Sequence, residues 1–294
     1  MSVILETVDE PFEPFEIRRP VQQTSALVYA SPHSGTRYTE RFLRQSRLDP
    51  LTLRKSEDSF VDEIFAAAPD HGSPLLCALF PRAFVDPNRE PYELDPSMFQ
   101  EPLPEFANSR SPRVAAGLGT VARIVANGEQ IYDARLPVSD AMNRIELYYR
   151  PYHAALAELI EQTQDMFGHC TLIDCHSMPS MGGPLERDAG RQRVDFVLGD
   201  CHGTACAPSL INTVGEVLSD LGYTVVNNIP YAGGYNTRHY GQPAQGVHAL
   251  QIEINRALYM DEERIERRPG ITRLAEDMGT VMSALSDLTA RSLR

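Results

Sequence analysis

Six short apolar runs, spaced by helical patterns, constrain the fold of this chain more than any other feature. They are Ala26–Ala30, Leu75–Leu79, Thr171–Asp174, Arg193–Leu198, Thr224–Asn227 and His248–Ile254. Each has the length of a strand. Between them Thr39–Arg44, Phe60–Ala67, Asp140–Phe167, Cys206–Leu221 and Ile271–Ser292 read as helices, with Asp140 as the N-cap of the longest. Strands that alternate with helices predict an α/β protein whose largely parallel sheet is covered on both faces. A single domain over residues 1–294 is the simplest organisation, with residues 1–22 as an extended N-terminal segment. Residues 81–120 and 178–192 lack periodicity and read as long functional loops, the first of them proline-rich.

Charge and cysteine content narrow the function. A net charge of −13 argues against a nucleic-acid partner, because a phosphate backbone needs a basic face. An anionic small molecule would have to be met by a few locally placed arginines. Cys77, Cys170, Cys175, Cys201 and Cys206 are odd in number and form no CxxC pair, which argues against a disulfide framework or a thiolate zinc knuckle. The N-terminus lacks the basic and apolar blocks of a signal peptide, and no apolar run is long enough to span a bilayer. A soluble, cytoplasmic protein with no membrane partner is the expectation.

Ligands of an open α/β sheet bind beyond the carboxyl ends of its strands. There the first run delivers Ser31-Pro32-His33-Ser34-Gly35 and the third delivers Cys175-His176-Ser177, so two strands each end on a His followed by Ser. The last run carries Glu253, and a carboxylate in a near-continuous apolar run is costly unless it is paired, protonated or metal-bound. Two imidazoles and a carboxylate at one edge are the raw material of a catalytic metal site, with a further carboxylate free for proton transfer. A lone histidine is more often just hydrogen-bonded, but the paired context of His33 and His176 favours ligation. The stretch Lys55-Ser56-Glu57-Asp58-Ser59-Phe60-Val61-Asp62 is the nearest acidic cluster for a third ligand; its acids could equally be first-turn residues facing a helix dipole. Arg82 and Arg89 in the proline-rich segment could grip a substrate carboxylate, and Arg238 sits in a glycine-flanked Arg-His-Tyr run that suggests a flexible loop.

Taken in order, the segments SPHSGTRY (31–38), SEDSFVD (56–62), FPRAFVDPNRE (80–90), YYRPYH (148–153), IDCHSMPS (173–180), DFVLGD (195–200), YAGGYNTRHYG (231–241) and LQIEINRALYMDE (250–262) resemble the N-formylglutamate amidohydrolase family, itself similar to zinc carboxypeptidases and aspartoacylase-type deacylases. The resemblance implies a three-layer α/β/α fold around a twisted mixed sheet, with one catalytic metal, usually zinc. It gives His33 and His176 the metal-ligand role and Glu253 that of the carboxylate serving the attacking water. Asn88 and Arg89 match an Asn-Arg pair that grips a substrate carboxylate, and Arg238 and Tyr240 fall in the same substrate-binding set. The carboxypeptidase relatives place a Glu three residues after the first His, where this chain has Thr36. The third ligand therefore comes from elsewhere: Asp58 is favoured over Glu57 on the family's pattern of a small polar residue then Asp, with Asp62 next.

The implied reaction is hydrolysis of an N-acyl amino acid, in first place N-formyl-L-glutamate to formate and L-glutamate. One zinc ion, or another divalent metal, is the expected cofactor. Arg82 would join it in stabilising the oxyanion, and Asp174, two residues before His176 on one strand face, would orient that histidine. The resemblance suggests a place in histidine degradation. Two alternatives stand: a hydrolase of another N-acyl amino acid or of C-terminal peptide bonds, and a non-catalytic ligand- or metal-binding protein on the same fold.

Overall fold

The structure is a computed structural model that describes residues 6–125, 128–184, 186 and 188–293. In chain order its strands begin with β1 (Glu6–Val8), β2 (Phe15–Arg18), β3 (Leu27–Ser31), β4 (Arg37–Thr39) and β5 (Leu75–Ala78). They continue with β6 (Cys170–Met178), β7 (Phe196–Gly199), β8 (Val225–Asn227) and β9 (Val247–Asn255). The helices are α1 (Glu40–Gln45), α2 (Pro50–Arg54), α3 (Val61–Ile64), α4 (Pro112–Ala115), α5 (Val138–Arg144), α6 (Arg150–Phe167), α7 (Pro208–Asp220), α8 (Tyr235–Tyr240) and α9 (Gly270–Ser286). Seven strands form one sheet in the order β2-β5-β3-β6-β9-β7-β8. The inner four, β5, β3, β6 and β9, are parallel, while β2 and the β7–β8 pair run the other way.

The sheet is mixed and largely parallel because its central strands are buried on both faces, the environment that near-continuous apolar runs require. Alternate residues of β6 divide between two cores. Ile173 and Cys175 join α3, α7 and α9 on one face, and Cys170 and Leu172 join α1 and α6 on the other. That is the expected α/β/α layering.

Three expectations are corrected. β6 and β9 run on to Met178 and Asn255, so His176 lies inside its strand rather than after it. The helix expected over Asp140–Phe167 breaks into α5, a π-helical turn at Ile145–Tyr149, and α6. Pro151 falls next to the break and lacks the N–H that an unbroken α-helix would use there. Asp140 is not the N-cap but a buried first-turn acid, bonded by Arg144, Arg41 and Gln45. Within the expected extended N-terminus, residues 1–5 lie outside the described residues, but Phe15–Arg18 is an antiparallel edge strand on β5.

Candidate active site

Three side chains converge at the carboxyl edge of the parallel strands. His33 follows β3, His176 comes from β6, and Asp58 comes from the loop between α2 and α3. Their donor atoms lie within 4.8 Å of one another, and all three residues are buried. The Nδ1 atoms of both histidines face one oxygen, Asp58 Oδ2, at 2.9 Å from His176 and 3.3 Å from His33. The other ring nitrogens face carboxylates too: His33 Nε2 meets Asp86 Oδ1 at 2.7 Å, and His176 Nε2 meets Asp174 Oδ2 at 3.1 Å. Each imidazole is thus held from behind, which leaves both Nδ1 atoms and the Asp58 oxygen pointing at a common centre.

Local sequence explains the convergence. The turn after β3 brings His33 back over the edge, and Gly35 permits it. A Cβ at Gly35 would lie 2.3 Å from the Phe80 carbonyl oxygen, so the close approach of the two segments needs glycine. The same turn holds the Asp58 loop, whose backbone N–H donates to the His33 carbonyl at 3.0 Å. In β6 and β9 the parallel register pairs Asp174 with Gln251 and His176 with Glu253, and the two-residue period puts all four on one face. Gln251 donates to Glu253 Oε1 at 2.7 Å and so fixes that carboxylate.

Electrostatics follow from burial and pairing. Burial alone would raise the Asp58 carboxyl, but hydrogen bonds from His176 and His33 hold it well below the usual range. Burial would neutralise His176, but Asp174 and Asp58 outweigh it and raise its pKa well above the ordinary value. Burial of Asp86 is likewise outweighed, by Arg82, Arg89 and His33. Glu253 has the weakest compensation, and burial pushes it up to about 7.

Of the three acids considered for the cluster, only Asp58 reaches it. Glu57 is bonded by Tyr38, Arg54 and Ser59, and Asp62 pairs with Arg18 across β2 at 3.0 Å. Arg82 reaches Asp86 at 2.7 Å and comes within 3.9 Å of Asp58. Arg89 is buried, donates to the Leu118 and Asn88 carbonyls, and lies 3.7 Å from Asp86. Burial brings its pKa down to about 10, helped by the like charges of Arg113 and Arg82. Asn88 is engaged internally: its Nδ2 lies 3.1 Å from His176 Nε2, and its Oδ1 accepts from the Asn236 N–H at 2.8 Å. Neither Arg238 nor Tyr240 bonds to the cluster. Arg238 is exposed beside the Cys201 thiol, and the Tyr240 hydroxyl lies 2.8 Å from His153 Nδ1. The cluster is buried. A groove of 780 Å³ against α9 and a pocket of 380 Å³ around His153 contain none of its residues.

Asp86, Gln251 and Arg256 carry no role in the sequence reading. Their only signal was position within the quoted segments, FPRAFVDPNRE and LQIEINRALYMDE. All five cysteines are free thiols, and no helix among the described residues is long and apolar enough to cross a membrane.

A three-layer α/β/α sheet that presents two buried histidines and a carboxylate at one edge defines a class of protein able to hold a metal ion there. The model of the N-formylglutamate amidohydrolase family matches residues 25–260, and the chain belongs to that family. An N-formylglutamate deformylase from Pseudomonas putida is 27% identical over 239 residues, which cover 80% of this chain and 82% of that protein. One from Pseudomonas aeruginosa is 29% identical, over 81% of this chain and 83% of that protein. The crystal structure of an N-formylglutamate amidohydrolase from Ralstonia eutropha superposes with a TM-score of 0.86 at 37% identity, covering 95% of this chain and 99% of that one.

Proposed function

We propose that the protein is a metal-dependent amidohydrolase that converts N-formyl-L-glutamate and water to formate and L-glutamate. The observation that carries this reading is the convergence of His33 Nδ1 and His176 Nδ1 on Asp58 Oδ2, with Glu253 in register beside His176. The named activity of the Pseudomonas relatives supports the substrate.

The donor set fits zinc, since two imidazole nitrogens and one carboxylate oxygen are the three protein ligands of a hydrolytic site. His33, His176 and Asp58 would hold the ion, while Asp86 and Asp174 keep each Nε2 protonated and each ring oriented. Such an ion would polarise the formyl carbonyl and acidify the attacking water. Glu253 takes a proton as the water oxygen bonds to the formyl carbon. The carbon–nitrogen bond then breaks, and Glu253 returns the proton to the leaving amine. A carboxyl poised near neutrality suits both transfers. Arg82 donates to the developing oxyanion. Arg89 meets a substrate carboxylate, and Arg238, which lies on helix α8 rather than on the flexible loop expected from the sequence, would meet a second one only after α8 moves. Asn88 acts through Asp174, to which its Nδ2 donates at 3.5 Å, rather than on substrate.

The test is zinc content and formate release in the purified protein, with and without a chelator. Wild type should hold one zinc per chain and lose activity on chelation. His33→Ala and His176→Ala should each lose the ion, and retention of stoichiometric zinc by both would reject the assigned ligands. A panel varying acyl group and amino-acid side chain tests the substrate. Faster turnover of another N-acyl amino acid would replace N-formylglutamate.

A further inference from the structure

We propose that Arg256 is a positioning residue that makes Asp58 present a single oxygen to the metal, and that it ties the ligand loop to the strand bearing the base. This rests on the metal site proposed above.

Asp58 differs from the two histidines in having no carboxylate behind it to fix its orientation. It also lies on a loop, two residues before Phe60, whose backbone is left-handed at φ 68°. Its outer oxygen, Oδ1, accepts from Arg256 Nη2 at 3.0 Å, while Oδ2 faces both imidazoles. The remaining arms of the guanidinium are also occupied. Nε donates to Ser177 Oγ at 3.2 Å, beside His176, and Nη1 donates to the Lys55 carbonyl at 3.1 Å, at the start of the Asp58 loop. Arg256 itself follows β9 and stands three residues after Glu253. One buried planar fork therefore joins the loop of the acidic ligand, the strand of one histidine and the strand of the base. With every arm engaged inside the protein, this arginine is not a substrate anchor.

The consequence is geometric. A carboxylate with a free second oxygen can rotate or bind an ion through both oxygens, which fills a position that substrate and water need. With Oδ1 held by Arg256, Asp58 offers Oδ2 alone. A guanidinium does this better than an ammonium, because its planar fork spans three acceptors at fixed angles.

The test compares wild type with Arg256→Gln and Arg256→Lys, in apo and metal-loaded forms. Zinc affinity is read by competition with a chromogenic chelator, and coordination by the visible absorption band of the cobalt-substituted protein. The expected result for Arg256→Gln is zinc binding weakened about 10- to 100-fold, the usual effect of losing such a support. Its cobalt band should also be weaker, as expected for a higher coordination number. Arg256→Lys should recover part of both, and the apo proteins should melt within about 4 °C of one another. Should Arg256→Gln fail to fold, Ser177→Ala frees one arm and should give the same changes at smaller amplitude. Wild-type affinity and an unchanged cobalt band in the variants would overturn the proposal. So would equal losses in Gln and Lys that track an early melting of the apo proteins, which would mean Arg256 merely holds the fold. Failure of wild type itself to bind zinc would instead reject the metal site beneath the proposal.

Discussion

Glu253 shows how a single environment sets a residue's chemistry. It is buried on β9, its neighbour Gln251 donates to one oxygen, and its carboxyl rises to about 7. A bound divalent cation adds positive charge and moves that value down. The acid limb of kcat/KM should therefore lie between the ordinary 4.5 and about 7, with activity lost as pH falls through it and the base becomes protonated. Glu253→Gln should retain zinc and lose about 10²- to 10⁴-fold in turnover, along with that limb. A variant with near wild-type turnover would remove Glu253 from the reaction. Arg89 tests the anionic end of the substrate. Arg89→Gln should raise KM by about tenfold or more, the effect of one charged hydrogen bond, with a smaller change in kcat. An unchanged KM would move the carboxylate to another arginine.

At the scale of elements, the site depends on how closely loops can pack on the sheet edge. Gly35 and Gly234 are two such tight points beside the site: an added Cβ would meet the Phe80 carbonyl oxygen at 2.3 Å and the Asn88 amide at 2.3 Å. Gly35→Ala must move backbone, so it should destabilise the protein by roughly 1–3 kcal/mol, as overpacking does, and weaken zinc binding through His33. Normal melting and normal zinc affinity would show that this turn is more pliable than its contacts imply. His153 locks α6 to the Pro87 carbonyl and to Tyr240, each at 2.8 Å. Burial lowers its pKa from 6.5 to about 4. The unfolded chain therefore binds more protons between those values, so this contribution is complete above pH 6.5 and lost as pH falls toward 4. A loss of about 3 kcal/mol is expected over that window, and His153→Gln should flatten it in melting curves taken against pH. Equal slopes for both proteins would assign the acid sensitivity elsewhere.

For the whole molecule, the proposed ion would join the end of β3, the interior of β6 and the loop before α3, which are distant in sequence. Zinc at 100 times its dissociation constant should add about 2.7 kcal/mol to stability, seen as a higher melting temperature that chelator reverses. No shift, in a protein that holds zinc by direct measurement, would mean that the unfolded chain binds it equally well. How the site assembles explains what a reader of the chain can find. His33, His176 and Glu253 stand out because a polar residue at the end of an apolar run is conspicuous at the period of a strand. Arg256 does not, because its partner Asp58 is 198 residues away and its neighbours look like any strand terminus. Asp86 is hidden for a similar reason: its role depends on His33, 53 residues earlier. Asp58, Glu57 and Asp62 look alike as acids in one short stretch; the family pattern ranked Asp58 first, and the partners that surround each show that Asp58 alone meets the histidines. Sequence alone indicated the alternation of strand and helix, the layered class and the delivery of His33, His176 and Glu253 to one sheet edge, since these follow from local period and burial, while the roles proposed for the three came from the family resemblance. The tertiary structure decided which acid meets the histidines, the antiparallel edge strands and the partners of Asn88 and Arg256. Those depend on contacts between distant segments, and no local pattern encodes them.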